Sequence, residues 1–118
     1  METEIIDLPE VLERVQDDKE LLLELFDIYQ NDFVKKRQAL SDAIAESDIA
    51  KIKEITHSMK GASGNISAKK IYGSCLALEQ LAKSNITDGM MDLVKSIDVQ
   101  FAEVKNRAVE LTKEWGGG

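Results

Sequence analysis

The sequence is poor in the residues that mark most other fold classes. It has one cysteine, Cys75, so no internal disulfide can form and no oxidising compartment is needed, which makes a cytoplasmic location the expectation. One proline and 5% aromatic residues argue against a β-sandwich or barrel and for a helical chain. No stretch approaches the roughly 18 apolar residues of a membrane span, and the opening METEIIDLPE lacks the basic and apolar runs of a signal peptide, so no membrane contact is expected of this domain. Cations are outnumbered, 15 Lys and Arg against 22 Asp and Glu, for a net charge of -7 with no basic block to offset it. Such a surface repels a phosphodiester backbone, and nucleic acid is excluded as a partner.

What is present fits one helical domain. At 118 residues the chain can bury a real core, and no repeat or composition break divides it. The domain is read as residues 1–115, with Gly116, Gly117 and Gly118 as a linker or remnant. Leu22, Phe26, Tyr29, Phe33, Leu40 and Ala43 recur at helical spacing and predict a long helix over 19–46, capped by Asp17 or Asp18. Ile52, Ile55, Thr56, Met59, Ser63 and Ile66 mark a second, capped by Ser47 or Asp48. Ile71, Cys75, Leu78 and Ala82 mark a third, started by Ser67. The stripe from Met90 to Trp115, alternating steps of four and three with Thr87 as N-cap, marks a fourth. Short loops make neighbours antiparallel, so the expected fold is an all-α, up-down four-helix bundle. Asp7 and Pro9 open a short N-terminal helix whose Leu8, Val11, Leu12 and Val15 would cap one end.

The one histidine lies in the stretch THSMKGASGN. At 100° per residue His57 falls roughly 140° from the buried reference Ile52, so its imidazole faces out. Lys53, Lys60, Gly61 and Gly64 fall on the same outer face. A neutral imidazole is a nucleophile, and a lysine one turn away can stabilise the anionic oxygens of a phosphoryl group, which casts Lys60, and secondarily Lys53, in that role. Two glycines on a helix surface each cost about 1 kcal/mol relative to alanine, and close approach by a partner gives Gly61 and Gly64 a purpose. On the following helix Tyr72 and Leu76 lie on the side of Glu79, beside the histidine helix, where they could form an apolar docking patch.

The stretch HSMKGASGNISAKKIYGSCLALEQLAK resembles the signature of histidine-containing phosphotransfer domains, in which H-x-L-K-G-S/A is followed by a C-x-x-L-E helix. IDLPEVLERVQDDKELLLELFDIYQNDF is similar to the N-terminal part of such domains at the ends of hybrid sensor kinases, so the likeness covers nearly the whole chain. It implies an antiparallel four-helix bundle that accepts a phosphoryl group from a receiver aspartate, holds it on histidine and passes it to another receiver. For this chain it implies phosphorylation of His57, assistance by Lys60, clearance at Gly61 and an imidazole-orienting role for Glu79. Two positions depart from the pattern: Ser67 stands where the family commonly has glycine, and Met59 replaces the motif leucine.

The resemblance makes response-regulator receiver domains the expected partners, with a hybrid histidine kinase in cis as a further candidate. The domain is expected to be a monomeric phosphoryl carrier without kinase activity of its own, since no phosphate-binding Gly-Lys-Ser/Thr loop occurs. No cofactor or metal is expected in it, and Mg²⁺ is assigned to the receiver. A di-iron reading of Glu54-x-x-His57 needs the pattern twice and facing the core, and the chain has one histidine. The remaining alternative is a non-catalytic bundle that binds a receiver or another partner without phosphorylation.

Overall fold

An aspartate side chain can accept a hydrogen bond from the free N–H groups that open a helix, and three helices of this chain begin that way. The computed structural model describes residues 5–116 and contains α1 (Leu8–Arg14), α2 (Lys19–Ala45), α3 (Ile49–Asn65), α4 (Lys69–Lys83) and α5 (Met90–Gly116), with no strand among those residues. Asp7 accepts from the Glu10 N–H at 3.2 Å, Asp18 from Leu21 at 2.9 Å and Asp48 from Lys51 at 3.1 Å. Gly116 ends α5, and the other two residues of the expected linker, Gly117 and Gly118, lie outside the described residues.

Three helices end alike. Ser47, Ser67 and Asn85 take left-handed backbone angles, φ 53°, 56° and 56°, one residue past the caps of α2, α3 and α4. The next N–H reaches back to close the helix: Asp48 to the Ala43 carbonyl, Ala68 to Ser63 and Ile86 to Leu81, all at 2.9 Å. These tight reversals fold α2, α3, α4 and α5 into an antiparallel ring in which α5 returns to α2.

The stripes read from the sequence are the buried faces. Phe33 of α2 stacks on Phe101 of α5 with ring centroids 3.9 Å apart, and Tyr29 packs tilted against both. The Tyr29 hydroxyl, buried among them, meets the Ser63 hydroxyl of α3 at 2.8 Å, so neither polar atom is left unpaired in the core. At the surface Arg37 of α2 grips Asp98 of α5 through two hydrogen bonds of 2.6 and 2.9 Å.

The short helix α1 closes the end of the bundle where α3 turns into α4. The Asp7 N–H donates to the Ser67 carbonyl, and the Arg14 guanidinium donates to the carbonyls of Gly64 at 2.6 Å and Asn65 at 2.9 Å. Two expected caps are corrected. Ser67 does not cap α4: Ala68 holds that position without a side-chain bond, and the buried Ser67 hydroxyl donates to Glu10 at 2.8 Å. Thr87 lies three residues ahead of α5 and contributes only its carbonyl, which accepts from the Met90 N–H. Among the described residues no helix is long and apolar enough to cross a membrane.

Candidate functional site

Thr56, Met59 and Ser63 of α3 point into the core, which turns the edge of the helix one residue round toward α4 and solvent. His57 stands on that edge with 74% of its side chain exposed. Facing it from α4 is Glu79, only 5% exposed, because Cys75, Leu78 and Ala82 anchor their helix in the core and pull its flank inward.

The two carboxylate oxygens of Glu79 have separate partners. Oε2 lies 3.0 Å from His57 Nδ1, and Oε1 accepts from Lys60 Nζ at 2.9 Å. The Lys60 hydrogen bond, more than that of His57, outweighs burial and holds the Glu79 carboxyl below the ordinary carboxylate range. The same contact holds Lys60 above the ordinary lysine value. An ionised carboxylate can only accept, so His57 Nδ1 must carry the hydrogen. In the neutral ring that leaves the lone pair on Nε2, the nitrogen away from Glu79.

The residues singled out in the sequence meet here, with differences in what they face. Lys60 does not extend freely into solvent; 17% exposed, it leans across to Glu79. Lys53 is exposed one turn before His57. Gly61 is open, with nothing within 4 Å of where a Cβ would stand. Gly64 faces inward to the site instead, since a Cβ there would lie 3.4 Å from the Tyr72 ring. Tyr72 is exposed but leans over Gly64, and Leu76 is half-buried. Next to them a cleft of about 230 Å³ runs between Tyr72 and the Arg14–Glu10–Lys69 cluster.

Sequence reasoning passed over Lys83, one turn beyond Glu79, whose Nζ lies 3.7 Å from Oε1. Its spacing of four from Glu79 was the available signal. Cys75, beneath the site, is buried, and burial pushes its thiol up to about 12. Among the described residues no group of three or more His, Cys, Asp or Glu gathers as a metal site would require.

The arrangement presents a fixed, exposed nucleophilic nitrogen with a buried negative charge behind it and an ammonium alongside. The family model described as Hpt domain matches residues 24–111. Histidine-containing phosphotransfer protein 2 of Arabidopsis thaliana is 19% identical over 105 residues, covering 85% of this chain and 67% of the relative. The crystal structure of histidine-containing phosphotransfer protein B from Pseudomonas aeruginosa superposes with a TM-score of 0.87 at 23% identity, over 97% of this chain and 99% of that one. That likeness extends the shared fold to α1 as well as the four-helix ring.

Proposed function

The chain belongs to the Hpt domain family and is a phosphotransfer intermediate of a phosphorelay, and from that premise we propose that His57 is the residue that carries the phosphoryl group, on Nε2. The observation behind this is the contact between His57 Nδ1 and Glu79, which leaves Nε2 as the free lone pair at an exposed edge. Proteins of this family interact with receiver domains and carry phosphoryl groups.

In the proposed step a receiver's aspartyl phosphate approaches along the open side of Gly61. The Nε2 lone pair forms the N–P bond as the P–O bond to aspartate breaks, and the aspartate leaves as carboxylate. The ring gains positive charge, which the Glu79 carboxylate stabilises through the Nδ1 hydrogen. Lys60, tethered to the same carboxylate, supplies a cation beside the phosphoryl oxygens. Reversal of the step onto a second receiver completes the relay. The proposal places Mg²⁺ on the receiver, gives this domain no cofactor and no kinase activity of its own, and keeps a kinase in cis and a monomeric state as further parts of the reading. A cytoplasmic location is supported by the single cysteine.

The test is incubation with phosphorylated receiver domains, comparing the wild type with His57→Gln. Acid-labile, base-stable label on the wild type alone is expected. Receiver binding without any label would favour the non-catalytic adaptor instead.

A further inference from the structure

Two contacts set the register between the antiparallel helices α3 and α4: Gly64 under the Tyr72 ring, and His57 beside Glu79. Continued one turn along both helices, that register brings Lys53 opposite Lys83. Both lysines are exposed, and among the described residues Lys53 has no ion pair while Lys83 has one long contact. Lys83 reaches Glu79 Oε1 only at 3.7 Å, an oxygen Lys60 already holds at 2.9 Å. Two exposed cations on one side of the groove offer an anionic partner a place to bind.

The charge is regional. From Ile49 to Lys83 there are six lysines and two glutamates, a local charge of +4, in a chain whose remainder carries nine cations against twenty acids, or -11. The two ends of the α3–α4 face also differ from each other. Beyond His57 on the Lys53 side the face is basic, and on the Gly64 side it is the Tyr72 ring and the half-buried Leu76.

We infer that this face is a polarised docking surface, on which a receiver domain sets carboxylates against Lys53 and Lys83 and apolar surface over Tyr72 and Leu76, so that the lysine pair fixes the direction of approach to His57. The inference rests on the phosphotransfer reading. A phosphoaspartyl site that uses Mg²⁺ holds the metal on carboxylates, so the reacting face of the partner is acidic and complements the lysine pair. Lys53, an exposed cation whose neighbour across the groove is another lysine, thereby acts on the partner more than on the phosphoryl group.

The experiment measures transfer from receiver domains charged with acetyl phosphate, at low and high salt. Wild type is compared with Lys53→Glu/Lys83→Glu, with Lys53→Gln/Lys83→Gln, and with Lys51→Glu/Lys70→Glu, which makes the same charge change on flanks of α3 and α4 turned away from the groove. The groove reversal should lower kcat/KM by about tenfold or more at low salt, through slower association, and the deficit should shrink as salt screens it. The neutral pair should show a smaller loss of the same kind, and the off-groove pair less than about a twofold change. Equal losses for both reversals, or none for the groove pair while the wild type transfers normally, would overturn the polarity and leave the phosphotransfer reading standing. Absence of transfer to the wild type from every receiver would overturn both.

Discussion

Glu79 Oε2 lies 3.0 Å from His57 Nδ1 across the α3–α4 groove, and this contact makes the two imidazole nitrogens chemically unequal. The buried carboxylate faces one nitrogen and leaves the other to solvent. Because Lys60 donates to the second oxygen of Glu79, one buried carboxylate ties the three side chains together.

Glu79→Gln should flatten the acid limb of thermal stability. A carboxylate held below its ordinary range contributes stability that is full above the unfolded value of about 4.3 and is lost as pH falls through the folded value. Melting curves should therefore show the wild type losing stability more steeply than Glu79→Gln below about pH 4.3, and parallel curves there would contradict the coupling.

Lys60→Ala removes the main cause of the lowered Glu79 value, so the acid loss below about pH 4.3 should be smaller than in the wild type and should level off at higher pH. Phosphoryl transfer should slow by about tenfold to a hundredfold while the far-UV spectrum stays helical. A transfer rate equal to that of the wild type would remove Lys60 from the chemistry.

Gly61 offers two changes of opposite sign. Gly61→Ala fills empty space and removes a flexible residue from a helix interior, so stability should rise by about 0.5–1 kcal/mol in denaturant titrations. Gly61→Trp should still fold but should slow transfer by about tenfold or more, because the ring would occupy the approach to Nε2. Wild-type transfer by Gly61→Trp would contradict a docking role for this glycine.

How much of this was legible beforehand depended on periodicity. The stripe from Met90 to Trp115 marked α5, and helical geometry alone placed His57 on the outer face. Its meeting with Glu79 was suggested by resemblance and needed the relative rotation of two helices to become a distance. Contacts such as Arg14 to Gly64 join residues 50 positions apart and leave no local pattern. Ser67 was misread for a related reason. Serine before a helix looks like a cap, whereas the reversal from α3 demands a left-handed residue there, the requirement that a glycine meets without strain.

That position yields its own expectation. Ser67→Ala keeps the strained backbone and loses the hydroxyl bond to Glu10, and should cost about 1 kcal/mol. Ser67→Gly loses the same bond but relieves left-handed strain of about 1–2 kcal/mol, so it should be close to neutral. Equal losses in chemical unfolding would show that backbone strain is not what matters at this turn.

Cys75 should resist thiol reagents at pH 8, since burial raises its pKa to about 12 and leaves almost no thiolate. Labelling should appear only with unfolding in denaturant. Rapid labelling of the native protein would contradict the packing beneath the site.

The most direct measurement is nitrogen and phosphorus NMR of the protein labelled by a phosphorylated receiver. A single phosphoryl group on Nε2 of His57, with the hydrogen retained on Nδ1 toward Glu79, is the predicted result. Phosphorus on Nδ1, or on any residue other than His57, would contradict the account.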